Sequence, residues 1–299
     1  MIEGQEGVTW EQWLALADAC ERSGVEAMFR SDHYLGIGLG ERGGSLDAWT
    51  TLAGLAAVTE RLRLGTLVSP VTFRPASVLA KSVVTVDHIS GGRVEVGMGA
   101  GWFEAEHDVY GFPFMTAGER VRLLREQVET VVRQWTEDER VQPKPVQEPY
   151  PPLIIGGNAK PGTVGPAVRW AAEYNTIGTG PEGCRERRAV LDAACEEAGR
   201  DPASLRLSMM RLCIVGADEA DLRSRVARFL DRVRHEVSVD DFLQDAGSDE
   251  LIGTVDEVAG TLRRYEDAGV TRVMLQHLVH DDIEMVEVIG RELAPRVAT

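Results

Sequence analysis

"VEVGMGAGW", residues 94–102, decides between two folds. A β-branched start that breaks into glycine at 97, 99 and 101 reads as a strand ending in a bare turn. Such turns cradle phosphates in dinucleotide-binding sheets, but there they carry the spacing G-x-G-x-x-G. An acidic residue also closes the following strand about 20 residues on. Neither feature is present. Here Gly97, Gly99 and Gly101 repeat with period two and share one face of the strand, with Val94, Val96 and Met98 on the other. Bare backbone on one face leaves room for a broad planar ring, so the stretch reads as the floor of a cofactor site and not as a phosphate loop.

The flanking sequence supports a closed barrel. Strand-like segments at 25–34, 61–70, 93–101, 153–157, 174–178, 205–216 and 271–278 alternate with helical ones. The helices fall at 8–24, 45–60 (with Ser45 as N-cap), 75–88, near 116–136, 163–172, 182–198, 217–233, 254–269 and the C-terminus. A polar insertion covers 234–253, and a stub at Met1–Glu3 supplies the end of an eighth strand. Repeated strand–helix units without a break over this length predict an α/β fold, one (β/α)8 TIM barrel domain over 1–299 with insertions. Its first strand is short or truncated. Two or three residues before Gly4 are too few to pair fully with both neighbours, so the strand is unusually short or its start lies upstream.

Composition excludes several partners. The 299 residues are 43% apolar and 27% charged, and 48 acidic against 32 basic residues leave a net charge of −16. That field opposes nucleic acid and anionic lipid, so no nucleic acid and no membrane partner is expected. No apolar run approaches a membrane span, and "MIEGQEGVTW" lacks the pattern of a signal peptide, which predicts a cytoplasmic protein. Cys20, Cys184, Cys195 and Cys213 are widely spaced and read as buried free thiols.

In such a barrel the chemistry lies at the C-terminal strand ends. There the sequence places Asp32-His33, Leu67-Val68-Ser69-Pro70, Gly99-Ala100-Gly101-Trp102, Gly156-Gly157-Asn158 and Gln276-His277. Asp32 and His33 form a carboxylate–imidazole pair able to exchange protons near neutral pH, although an aspartate there also serves as a plain loop cap. Gly156-Gly157, leading through Lys160 to Thr163 and a helix, offers backbone N–H groups to a phosphate. His277 and His280 lack a third ligand, so no metal is expected. Glu104, Glu106 and His107 read as a solvated charged face, and Asp87-His88 lies at the opposite, stabilising end.

The stretch 64–114, with "SDHY" (31–34), "PPLIIGG" (151–157), "WAAEYNT" (170–176) and "IGTVDEVAGTLRRYEDAGVTRVMLQHL" (252–278), resembles the bacterial luciferase-like flavin and deazaflavin oxidoreductases, most closely the coenzyme F420-dependent branch. The resemblance covers almost the whole chain. It implies a barrel with the ring in its mouth and a non-proline cis peptide at Leu67–Val68, with Ser69, backing that ring. It places Asp32 and His33 as catalytic groups beside the reactive edge. Ala100, Gly101 and Trp102 would line the cofactor, and Gly156, Gly157, Gly162 and Thr163 would hold the phosphate side of its tail. The implied activity is hydride transfer between the deazaflavin and a small organic substrate. The alternatives are an FMN-dependent monooxygenase fed by a separate reductase, and a non-catalytic flavin or F420 binder. Trp102 stands where relatives using sugar phosphates carry an acid, which argues against those substrates. The family also implies a homodimer. Substrate choice is expected to fall to the segments 35–44, 102–115 and 234–253.

Overall fold

The computed structural model describes residues 1–38 and 44–297, so half of the 35–44 loop, residues 39–43, lies outside the described residues. Its strands are β1 (Ala27–Arg30), β2 (Arg63–Pro70), β3 (Val94–Gly99), β4 (Leu153–Gly156), β5 (Glu173–Ile177), β6 (Arg206–Gly216), β7 (Leu251–Thr254) and β8 (Arg272–Gln276). All pair in parallel, β1 to β6 in chain order and β8 against Ser208–Leu212 of β6. The ring closes through the N-terminal stub, because Ile2 bridges both Arg30 and His277. The Ile2 amide donates to the Phe29 carbonyl at 2.9 Å, and the His277 amide to that of Met1 at 2.9 Å. The eight staves are therefore the stub, β1–β6 and β8, a TIM barrel.

The short first stave pairs with both neighbours, but over a single bridge on each side. Between the N-terminal halves of β1 and β8 it leaves an apolar cavity of about 170 Å³, lined by Met28, Phe29, Met274 and Val286 among others. This cavity lies away from the strand ends that carry the site.

Segment 234–253 corrects the reading of a bare insertion. It holds a helix, Val239–Asp245, and its end begins β7, which pairs with the last four residues of β6, Cys213–Gly216. β6 is 11 residues long and overshoots the barrel, so its exposed edge takes a partner outside the ring. A four-residue strand with two buried positions is too short for its period to stand out. A second correction concerns the helix Ala48–Val58, whose N-cap is Asp47 and not Ser45. The Asp47 carboxylate accepts from the Thr50 amide at 2.9 Å, while the Ser45 hydroxyl donates to the His33 carbonyl at 2.6 Å.

Inside the barrel, the strand that opened the sequence reading alternates as its period required. Val94, Val96 and Met98 are buried in the main core, packed with side chains of the surrounding helices. Glu95 turns inward to a layer of charge: Arg63 donates to it at 2.6 Å and Arg272 at 2.7 Å, and Arg272 also reaches Glu173 at 3.3 Å. Above this layer Phe29, Leu67, Ile154 and Met274 form an inner apolar cluster, with half-buried Val68 against it.

The glycine face has a different occupant from the one expected. A Cβ at Gly97 would lie 2.1 Å from the Thr66 carbonyl oxygen and 2.9 Å from Val68 Cγ1; one at Gly99 would lie 2.5 Å from Val68 Cγ2. One at Gly156 would lie 3.2 Å from Val68 Cγ1. The bare face is thus filled by β2, whose register shifts between Thr66 and Ser69, and by the Val68 side chain. Gly101 lies beyond the strand, at φ +79°, a left-handed turn that favours glycine.

Candidate active site at the barrel mouth

The end of β1 delivers Ser31, Asp32, His33 and Tyr34 to the mouth. Asp32 is fully buried and held by three donors: Ser69 Oγ at 2.7 Å and Arg74 Nη1 and Nη2 at 2.7 and 3.1 Å. Arg74 is shared with Asp47 at 2.7 Å and donates to the Tyr34 hydroxyl at 2.8 Å, and Trp49 Nε1 donates to Ser69 Oγ at 3.0 Å. With a fixed guanidinium on both oxygens and a hydroxyl on one, the Asp32 carboxylate has no open face, so it serves as an anchor. It is not the plain loop cap that the sequence left open for it, since its partners are the side chains of Ser69 and Arg74.

His33 is different. Its side chain is 14% exposed, and its ring meets Trp102 and Phe103 edge-on, with centroids 6.0 and 6.3 Å away. Nδ1 contacts Glu106 Oε2 at 2.8 Å, and Nε2 has no hydrogen-bond partner among the described residues. Burial alone would lower the His33 pKa. The hydrogen bond and charge of Glu106, reinforced by Glu3 and Asp32, outweigh it and hold the imidazole above its usual value.

Glu106 and His107 overturn the expectation of a solvated face, since both are buried. The helix Glu104–Tyr110 lies across the mouth with these two side chains facing in. The Phe103 carbonyl can only accept, so His107 donates to it through Nδ1 at 2.7 Å, and Nε2 is hydrogen-bonded with the Thr72 hydroxyl at 2.7 Å. A seven-residue helix shows barely two turns of period, too little to tell its inner face in sequence. Asp87 lies at the opposite end as expected, accepting from the amides of Val146 and Gln147.

The Leu67–Val68 bond is cis. Of this segment only Val68 presents side-chain surface, because Leu67 belongs to the barrel interior and Ser69 to the Asp32 anchor. Ala100 is half-buried past the end of β3, and Trp102 is 61% exposed. Across the mouth, a Cβ at Gly157 would meet the Tyr174 hydroxyl at 2.4 Å and Thr163 Oγ1 at 2.7 Å, so glycine is required for packing there. Gly162 packs on Val121, where a Cβ would come within 2.4 Å of Cγ1. Thr163 and Tyr174 share a hydrogen bond at 2.7 Å. The helix Pro161–Trp170 starts without a side-chain cap, and Lys160 beside it is exposed. His277 and His280 are buried 6.5 Å apart, and no metal-binding cluster occurs among the described residues. All four cysteines are buried and free, and no helix among the described residues is long and apolar enough to cross a membrane.

At the mouth His33 meets Trp102 and Phe103, and Val68 lies against Gly99 and against Gly156, the start of the 156–163 segment. Arg74, Asp47, Trp49 and Glu106 were not singled out as site residues in the sequence; no motif links residues so far apart along the chain.

Comparison with known proteins agrees with this architecture. The chain is 40% identical over 126 residues to an uncharacterised protein of Mycobacterium tuberculosis, a match over 38% of this chain that spans 43% of the relative's length. It is 26% identical over 323 residues to an FMNH(2)-dependent dimethylsulfone monooxygenase of Pseudomonas putida, covering 94% of this chain and 86% of that one. The coenzyme F420-dependent tetrahydromethanopterin reductase of Methanopyrus kandleri superposes with a TM-score of 0.78 over 100% of this chain and 98% of its own, at 19% identity, a likeness of fold. The luciferase-like monooxygenase model matches residues 2–272, and the protein therefore belongs to that family.

Proposed function

We propose that the protein is an F420-dependent oxidoreductase that moves a hydride between the deazaflavin and a small organic substrate, with His33 as its proton-transfer group. The observation that carries this reading is His33 itself: an imidazole held on one nitrogen, open on the other, at the strand end beside Trp102. The residues suit the cofactor. Val68 offers an apolar surface at the mouth, and Ala100, Gly101 and Trp102 line its edge. The uncapped start of the helix Pro161–Trp170 leaves the Gly162 amide without an intrahelical acceptor, next to Lys160, which suits a phosphodiester tail. Gly157 and Thr163 shape that side through Tyr174, and Gly156 borders Val68.

When bound, the deazaflavin supplies the hydride chemistry. The chain's own residues place and balance it. His33 Nε2 accepts or returns the proton that accompanies hydride transfer, while the Asp32–Arg74–Asp47 anchor keeps the strand end rigid. FMN is the second reading, favoured by the Pseudomonas relative that matches along 94% of this chain. Fluorescence titration with F420 and with FMN distinguishes the two, and binding of neither overturns both. Replacing His33 by Ala is expected to leave cofactor affinity intact and to lower turnover by about 10²- to 10⁴-fold. Unchanged turnover would remove His33 from the mechanism.

A further inference from the structure

We propose that Glu106 is the positioning residue of the mouth: its carboxylate fixes His33 in the Nδ1–H tautomer, so that Nε2 is the nitrogen presented to the open side. The assignment rests on geometry. Oε2 lies 2.8 Å from His33 Nδ1, and Oε1 accepts the amides of Tyr34 and Leu35, the second at 3.0 Å. Three donors therefore converge on one carboxylate whose side chain is 1% exposed. An ionised carboxylate only accepts, so Nδ1 must carry the proton. Glu106 is the third residue of the helix Glu104–Tyr110, where unpaired amides of the first turn favour a negative charge.

The same carboxylate ties the imidazole to the two residues that follow it, so ring and loop are held by one group on another element. The other charges near His33 are arranged differently. Asp32 on its own strand is neutralised by Arg74, and Glu3 on the stub accepts from Gln5 and Gln276. Trp102 and Phe103 bring no charge. Among the described residues only Glu106 touches the ring nitrogen, and its hydrogen bond, followed by its charge, is the chief support for the raised His33 pKa against burial.

The catalytic consequence depends on reading His33 as the proton-transfer group, but the test needs neither cofactor nor substrate. Protein labelled with 15N and 13C histidine reports the tautomer and titration of each ring, and His33 is assigned from its loss in His33→Asn. In the unmodified protein the neutral His33 is expected as the Nδ1–H form. In Glu106→Gln the amide NH2 donates to Nδ1, which flips the ring to Nε2–H and lowers its pKa by about one pH unit or more. Exposed His88 and His235 should not move. A neutral Nε2–H form in the unmodified protein overturns the proposal, and that spectrum decides even if the variant does not fold. So does an unchanged tautomer and pKa in a folded Glu106→Gln. Failure of F420 or FMN to bind would leave these outcomes untouched, so the two readings fail separately.

Discussion

If Gly99 is a glycine because Val68 occupies its side of the strand, then the cost of a methyl group at 99 must depend on residue 68. In Gly99→Ala the new Cβ would sit 2.5 Å from Val68 Cγ2, and the next nearest atom is Val68 Cβ at 3.6 Å. Overpacking of this kind costs about 1–3 kcal/mol. Val68→Ala removes the offending methyl and leaves only the ordinary contact to Cβ. By itself, truncation of this half-buried side chain costs about 1 kcal/mol. The double variant should therefore resemble Val68→Ala alone, a coupling of about 1–3 kcal/mol in place of additivity. Gly97 supplies the control. Its Cβ would lie 2.1 Å from a backbone oxygen, Thr66 O, which Val68→Ala does not remove, so Gly97→Ala should stay destabilising in both backgrounds. Urea unfolding followed by circular dichroism measures all six proteins. For a chain of this size about 0.6 kcal/mol corresponds to one degree of Tm, so 2 kcal/mol appears as about 3 °C in a thermal scan. Equal costs of Gly99→Ala with Val68 present and absent would refute the reasoning and return the glycines to the role of an open floor.

Other consequences concern the charges. Asp32→Asn leaves Arg74 facing only Asp47 in a buried site and should destabilise by about 3 kcal/mol. Calorimetry should show about 5 °C of lost Tm, and a change under one degree would contradict the anchor role. Acid should destabilise the protein through His277 and His280. Burial lowers the pKa of both; the neighbouring His280 adds to it at His277, and at His280 burial together with the Arg232 charge brings the pKa from 6.5 to about 3. The unfolded chain takes up protons below about 6.5 and the folded one does not, so stability present above that pH falls as pH drops. For His280 the loss reaches about 2 kcal/mol at pH 5. In His280→Asn the slope between pH 6.5 and 5 should flatten, and an unchanged slope would place the acid sensitivity elsewhere.

Period and order were legible in the chain itself. Strand and helix segments fell within a few residues of their places, because each buries one face and the apolar pattern records that face. The stub was readable as the eighth stave, since seven strands leave a parallel barrel one short. His33 was singled out because it stands at a strand end, where barrel geometry puts chemistry. Short elements escaped: β7 has four residues and the helix Glu104–Tyr110 seven, too few for a period to emerge.

What the sequence alone determined is therefore a parallel barrel, with Val94, Val96 and Met98 turned to the helices and glycines turned inward. What filled the space inside those glycines was decided by tertiary structure, through the register of β2 and the placement of Val68. The same holds for charge. Asp32 and His33 are neighbours in sequence, yet Arg74 takes one and Glu106 the other, 42 and 73 residues away. Periodicity fixes which face a residue occupies; only the folded chain brings distant groups within hydrogen-bond distance, and those contacts make one carboxylate an anchor and leave one imidazole open.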